Sequence, residues 1–181
     1  MSVDLEDFYC DLPFSTWNKF ESRVEHTTNK ILDLFEKYHV TATFFTLGYI
    51  AEKHPSLIEK IVSKGHEIAS HGYSHTDIRK MSKSEFESDL KKSLSILEKI
   101  SGDNILGFRA PFFSIEEKNI WALNILQKYL KYDSSIFPVK TPLYGVPKAP
   151  HTIFHPSPTS PFENDPHSSF IEIPPATLKI P

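Results

Sequence analysis

The sequence predicts an α/β fold, either a parallel sheet or a β/α barrel, on three observations. Short β-rich runs alternate with helical runs along most of the chain. Helix-start signals fall in the gaps between the β-rich runs. Each of the first, third, fourth and fifth β-rich runs leads into specific polar residues, and in α/β folds the reactive groups collect at the carboxyl ends of the strands.

The first strand is read in "SVDLE". Ser22 and Glu25 then have the spacing of a capping box, and Val24, Ile31, Phe35 and Tyr38 follow near helical spacing. "VTATFFTL" is the second strand. Pro55 suits the first turn of a short helix, "PSLIEKIVSKG", with Gly65 at its end. "HEIAS" is the third strand. A second box, Ser82 with Glu85, precedes the one-face stripe Phe86, Leu90, Leu94 and Leu97. "ILGF" is the fourth strand, and a third box, Ser114 with Glu117, opens "NIWALNILQKYL". That run is apolar on more than one side and predicts a more buried helix. "KYDSS" is the fifth strand. Thr141 to Ser169, rich in proline, histidine and serine, reads as a long irregular loop of a length that is often functional. "FIEIPP" is one further strand.

With 181 residues the chain can bury one substantial core, and a single domain over residues 1–181 is expected. The net charge is only −3, and lysines sit among glutamates as in "KSEFESDLKKS". That pattern is a solvated helix face rather than a nucleic-acid footprint. Cys10 is the only cysteine, which excludes an intramolecular disulfide and argues against a thiolate metal cluster. No apolar stretch approaches the roughly 18 residues of a membrane span. "MSVDLEDFY" has neither a basic leader nor an apolar signal region, so a cytoplasmic protein is the default expectation.

The polar strand ends supply the chemistry. The first strand gives Asp4, Glu6 and Asp7; the third gives His71 and His75; the fourth gives Arg109 before Ala110 and Pro111; the fifth gives Asp133. Two histidines four apart in a helical turn share a face. They are then close enough to share a zinc ion at roughly 2.0–2.1 Å each. In extended backbone Asp4 and Glu6 point to one side and Asp7 to the other. Taken singly, these are loop histidines, a solvated strand end and an exposed arginine. Gathered on one rim, they make a metal and acid–base site.

The motifs "SVDLEDFY", "TATFFTLG", "KGHEIASHGYSH", "GFRAPFFS", "YDSSIFP" and "IEIPPAT", in this order, resemble the polysaccharide deacetylases of carbohydrate esterase family 4, which carry the NodB-homology domain. The likeness runs from residue 2 to about 178, and the "SVD-x-ED" opening places it nearest a branch linked to exopolysaccharide and surface-glycan pathways. It implies an irregular (β/α) barrel of about seven strands, incomplete here at the C-terminus. It implies metal-dependent hydrolysis of N-acetyl groups on N-acetylhexosamine units of a glycan, releasing acetate, with the N-acetylated glycan as partner. By the resemblance, His71 and His75 hold a divalent metal, most often Zn2+, with Co2+ or a similar ion also suited. Asp4 is the general base, Arg109 orients it, and Asp133 fixes Arg109. Many members have adjacent aspartates where this chain has Asp4-Leu5-Glu6-Asp7; strand geometry assigns the third ligand to Glu6, with Asp7 as the alternative. Tyr73, Pro111, Phe112 and Phe113 are expected to face the sugar.

The family also carries a late histidine that protonates the leaving amine, in a segment resembling "HPWE" after the "IEIPP" strand. The chain ends at Pro181 before any such segment, and His151, His155 and His167 do not match it. A C-terminally truncated chain that binds metal without full turnover is therefore expected. Two other readings compete: a small-amide or ureide hydrolase of the same superfamily, and a non-enzymatic glycan-binding module. Retention of both histidines favours the deacetylase over the ureide hydrolase.

Overall fold

The computed structural model describes residues 1–157 and 161–177. The chain forms two compact units. The first comprises residues 1–76 and 88–105, and the second residues 77–87 and those from 106 onward. The expected single domain over residues 1–181 takes in both, and at 158–160 and 178–181 it includes residues outside the described ones, as does the resemblance where it reaches Leu178.

In the first unit, strands β1 (Ser2–Leu5), β2 (Thr43–Thr46) and β3 (Glu67–Ser70) run parallel, with Asp4 opposite Phe45 and Phe45 opposite Ala69. Phe44, Phe45 and Thr46 are all buried, as parallel strands covered on both faces require. Helix α1 (Val24–Lys37) buries Val24, Leu32 and Phe35, whereas Tyr38, the last member of its expected stripe, is an exposed C-cap. Helix α2 (Gly48–Lys53) was not expected from the sequence. It is only six residues long and begins on the glycine that follows the second β-rich run. Helix α3 (Pro55–Ser63) starts on its proline and buries Leu57, Ile58 and Ile61. Helix α4 (Lys83–Ser101), which belongs to this unit from Ser88 onward, carries the stripe as predicted, with Phe86, Leu90, Leu94 and Leu97 buried.

In the second unit, β4 (Gly107–Phe108), β5 (Tyr132–Asp133) and β6 (Ile171–Glu172) are again parallel, with Gly107 opposite Tyr132 and Asp133 opposite Glu172. Helix α5 (Trp121–Leu126) buries Ala122, Leu123, Ile125 and Leu126, the many-sided burial its sequence implied. All six strands read from the sequence are present, each parallel to its partner within its unit, and the fold is α/β.

Two of the three expected capping boxes do not form. Ser82 and Glu85 do: the Ser82 amide donates to Glu85 Oε2 (2.7 Å) and the Glu85 amide to Ser82 Oγ (3.3 Å). Near α5 the box is shifted by two residues, to Glu116 with Asn119, because Ser114 Oγ instead donates to the Pro111 carbonyl and accepts from the Ile78 amide. At α1 a distant carboxylate replaces the box, as described below. The Thr141–Ser169 segment is less irregular than expected, since Phe154 bridges Glu172 of β6 in antiparallel sense.

A Cβ at Gly107 would fall inside the ring of Tyr132, its cross-strand partner. Gly107→Ala is therefore expected to displace that ring and lower stability by about 1–3 kcal/mol, read as a fall in melting temperature.

Candidate metal centre

Strand β1 ends at Leu5 and delivers Glu6; β3 ends at Ser70 and delivers His71, with His75 one tight loop later. Donor atoms of Glu6, His71 and His75 all lie within 4.8 Å of one another. Both histidines are buried and Glu6 is half-buried.

The protonation pattern suits a cation. His75 Nδ1 lies 3.2 Å from the Cys10 carbonyl, which can only accept, so Nδ1 carries the proton there. His75 Nε2 is 2.8 Å from Glu6 Oε2, yet that buried oxygen has no hydrogen bond. With Nδ1 protonated and Nε2 bare, two lone-pair atoms face each other, and either a proton on Nε2 or a metal ion between them satisfies both. Fixing the remote ring nitrogen on a carbonyl is how ligating histidines are commonly oriented. His75 also adopts a left-handed backbone, φ 50°, a conformation that costs a non-glycine residue on the order of 1–3 kcal/mol and clusters at functional sites. Two imidazoles and one carboxylate are the ligand set of several catalytic zinc sites, which keep a further position open.

Of the two candidates Glu6 and Asp7, Glu6 is the one whose carboxylate lies with the histidine donors. Asp7 is buried and turned to α1. Its Oδ2 accepts from Ser22 Oγ (2.6 Å), the Arg23 amide (2.9 Å) and the Val24 amide (3.2 Å), and its Oδ1 accepts from the Phe8 amide (2.9 Å). It thus caps a helix from 17 residues away, where the sequence suggested Ser22 with Glu25; Glu25 pairs with His54 instead (2.9 Å). Asp7→Ala is expected to cost about 1–2 kcal/mol through the lost cap, measured as a drop in thermal stability. Cys10 is not in this group, and burial pushes its thiol up to about 12.

The other predicted residues are distributed as follows. Asp4 lies half-buried on β1, two residues before Glu6. Arg109 follows β4 and is buried; its Nε donates to the Ser134 carbonyl (3.2 Å) and Nη2 to Ser134 Oγ (2.9 Å), and the guanidinium lies 5.6 Å from the Phe113 ring. Asp133 is fully buried, with Oδ1 accepting from Ser135 Oγ (2.5 Å). Pro111 is buried and opens a short turn in which Phe112 and Phe113 have φ of 57° and 48°. Phe112 is 38% exposed, whereas Phe113 packs on Phe137 and Tyr144. Tyr73 packs against Phe14 and Tyr49, with Lys92 Nζ over its ring and its hydroxyl on Glu52. Among the late histidines, His151 Nδ1 meets Thr177 Oγ1 and His155 Nδ1 meets the Phe170 carbonyl. His151, His155 and His167 are not in the metal group.

Sequence reasoning missed two carboxylates. Asp89, on the expected polar face of α4, turns in toward the histidine loop. Glu172, in a strand noted only for its pattern, is fully buried beside Asp133. The alternation "IEI" was the available signal for the second, since it places a glutamate between two apolar residues.

An α/β chain that converges two imidazoles and a carboxylate at strand ends has the donor set of a metal-dependent hydrolase. The polysaccharide deacetylase model matches residues 13–129, and the chain belongs to that family. A peptidoglycan-N-acetylglucosamine deacetylase of Bacillus cereus is 38% identical over 96 residues, which is 52% of this chain and 35% of the relative. A peptidoglycan deacetylase of Helicobacter pylori is 36% identical over 107 residues, 59% of this chain and 36% of the relative. The chain thus spans little more than a third of the length of these curated relatives. The fold recurs in a crystal structure from Mycobacterium smegmatis, with a TM-score of 0.73 at 21% identity, covering 97% of this chain and 57% of that one. Among the described residues no helix is long and apolar enough to cross a membrane.

Proposed function

We propose that the chain acts in metal-dependent removal of N-acetyl groups from N-acetylhexosamine units of a glycan, hydrolysing a linear amide to a free amine and acetate. The observation that carries this reading is the convergence of Glu6, His71 and His75 donors within 4.8 Å, in a chain of the deacetylase family. A divalent ion held there, Zn2+ or Co2+, would supply Lewis-acid polarisation of the acetyl carbonyl and a nucleophile at neutral pH.

The chain's own residues do the rest. Asp4 accepts the proton that the attacking water loses. Arg109, immobilised by Ser134, is the charged orienting group, with Asp133 on the neighbouring strand as its companion. Phe112 offers an exposed ring for a sugar face, and Pro111 and Phe113 fix the turn that presents it. Tyr73 stiffens the histidine loop and contributes its ring to the sugar side. We take the cytoplasm as the chain's place of action, which cell fractionation would check.

The test is acetate release from N-acetylated chito-oligosaccharide or peptidoglycan fragments by the zinc-loaded chain. Asp4→Asn is expected to lower the rate by on the order of 10²–10⁴-fold while the metal stays bound. Glycan binding with bound zinc and no acetate would instead make the chain a binding module.

A further inference from the structure

The loop between the two histidines is fastened through the backbone of Gly72 and Tyr73 and the side chain of Ser74. The Gly48 amide at the start of α2 donates to the Gly72 carbonyl (2.9 Å), and the Tyr49 amide to the Tyr73 carbonyl (3.1 Å). The Gly72 amide donates to Ser70 Oγ (3.1 Å), which itself meets Ser93 Oγ of α4 (3.0 Å). The remaining donors turn to one carboxylate. The Tyr73 amide donates to Asp89 Oδ2 (2.8 Å), and Ser74 Oγ to Asp89 Oδ1 (3.3 Å). One turn on from Asp89, Lys92 places its Nζ over the Tyr73 ring, so α4 grips the loop by backbone and side chain together.

This grip has a steric signature. Gly72 sits at φ 77°, and a Cβ there would meet Asp89 Oδ2 at 3.0 Å. The carboxylate therefore lies as close to the loop as a glycine allows. Its burial also raises its own pKa, with the Tyr73 amide the largest opposing influence. A carboxylate brought into a partly dry place against two loop donors is an expensive device for a surface turn. The segment it holds runs from one buried imidazole to the next and ends in the left-handed backbone of His75.

We propose that Asp89 is a positioning residue for the metal centre, acting through the Tyr73 amide and the Ser74 hydroxyl to hold His71 and His75 at the separation that one cation needs. The inference rests on the metal reading above. It goes beyond that reading by assigning a residue on α4 that touches neither the ion nor the substrate.

The experiment is a Co2+ titration of the full 181-residue chain, followed by the cobalt visible absorption spectrum, with circular dichroism of the metal-free protein alongside. Asp89→Ala is expected to weaken Co2+ binding about 10–100-fold, the usual cost of losing an outer partner of a ligating loop, and to alter the spectrum. Asp89→Asn, whose amide oxygen still accepts from Tyr73, is expected to restore most of the affinity. A purely structural role would lower the melting temperature of the metal-free chain and leave affinity and spectrum as in the wild type; that result overturns the proposal. Should Asp89→Ala fail to fold, Gly72→Ala tests the same contact from the loop side, and unchanged affinity there overturns it too. A wild-type chain that binds no Co2+ would instead remove the metal reading itself, which the titration shows before any variant is compared.

Discussion

His75→Ala is expected to lower divalent-metal affinity by more than the roughly 10–100-fold that outer-shell substitutions cost, because it deletes a donor outright. His71→Ala and Glu6→Gln are expected to do the same. Each leaves two donors where three converge, and in His75→Ala the Glu6 oxygen also loses the imidazole that faces it at 2.8 Å. Asp7→Asn is the decisive control. Its amide oxygen can still cap α1, and its side chain points away from the histidines, so metal content is expected to stay as in the wild type. Elemental analysis of the purified variants after dialysis reads all four. Metal lost from Asp7→Asn and kept by Glu6→Gln would reverse the ligand assignment.

The second large effect concerns Glu172. It lies opposite Asp133 on the neighbouring strand, both are fully buried, and Asp133 Oδ2 and Glu172 Oε2 are left without hydrogen bonds by ionised partners. Burial raises Asp133 to about 6, and it raises Glu172 as well, with the Asp133 charge adding to it and Arg109 opposing. Two dry carboxyls in this position are best satisfied by one proton between them. The folded chain therefore holds a proton that the unfolded chain, with ordinary carboxyls, has released above about pH 4. By linkage, this part of the stability is complete below the unfolded values and is lost as the pH rises through about 6 and beyond. Glu172→Gln keeps a neutral donor toward Asp133 and removes the second negative charge. It is expected to raise stability at pH 8 by about 1–3 kcal/mol and to flatten the decline, as seen in melting temperatures between pH 5 and 8. A variant whose melting temperature differs from the wild type by the same margin at both ends would show that the pair's protonation does not change across this range, and would overturn the prediction.

Much of this architecture is legible in the sequence, and the exceptions have identifiable physical causes. The six strands are visible as short β-rich runs between helix signals, α3 through the proline at its start, and the stripes of α1 and α4 because burial of one face imposes a period. Helix α2 is not visible, because six residues are too few to show one and its first residue is a glycine. The box at α1 misleads because its serine spacing is right while the cap comes from Asp7, a partner that only folding brings near. His71 and His75 stand out through their spacing, and Glu6 through strand parity. Asp89 does not, since it falls among "ESDLKK" and local charge patterning describes a solvated face well. Glu172 is hidden because its significance depends on which strand lies beside β6.

The Asp7 cap has a mechanical consequence. The residue after Glu6 is bolted to the opening turn of α1, so β1's tip cannot wander without unpicking that turn. Heating the loaded chain should then release the ion in the same transition in which the first helix unwinds, rather than by gradual leakage from an otherwise intact fold. A metal-sensitive dye and the far-ultraviolet helical signal, followed together, would rise and fall on one curve.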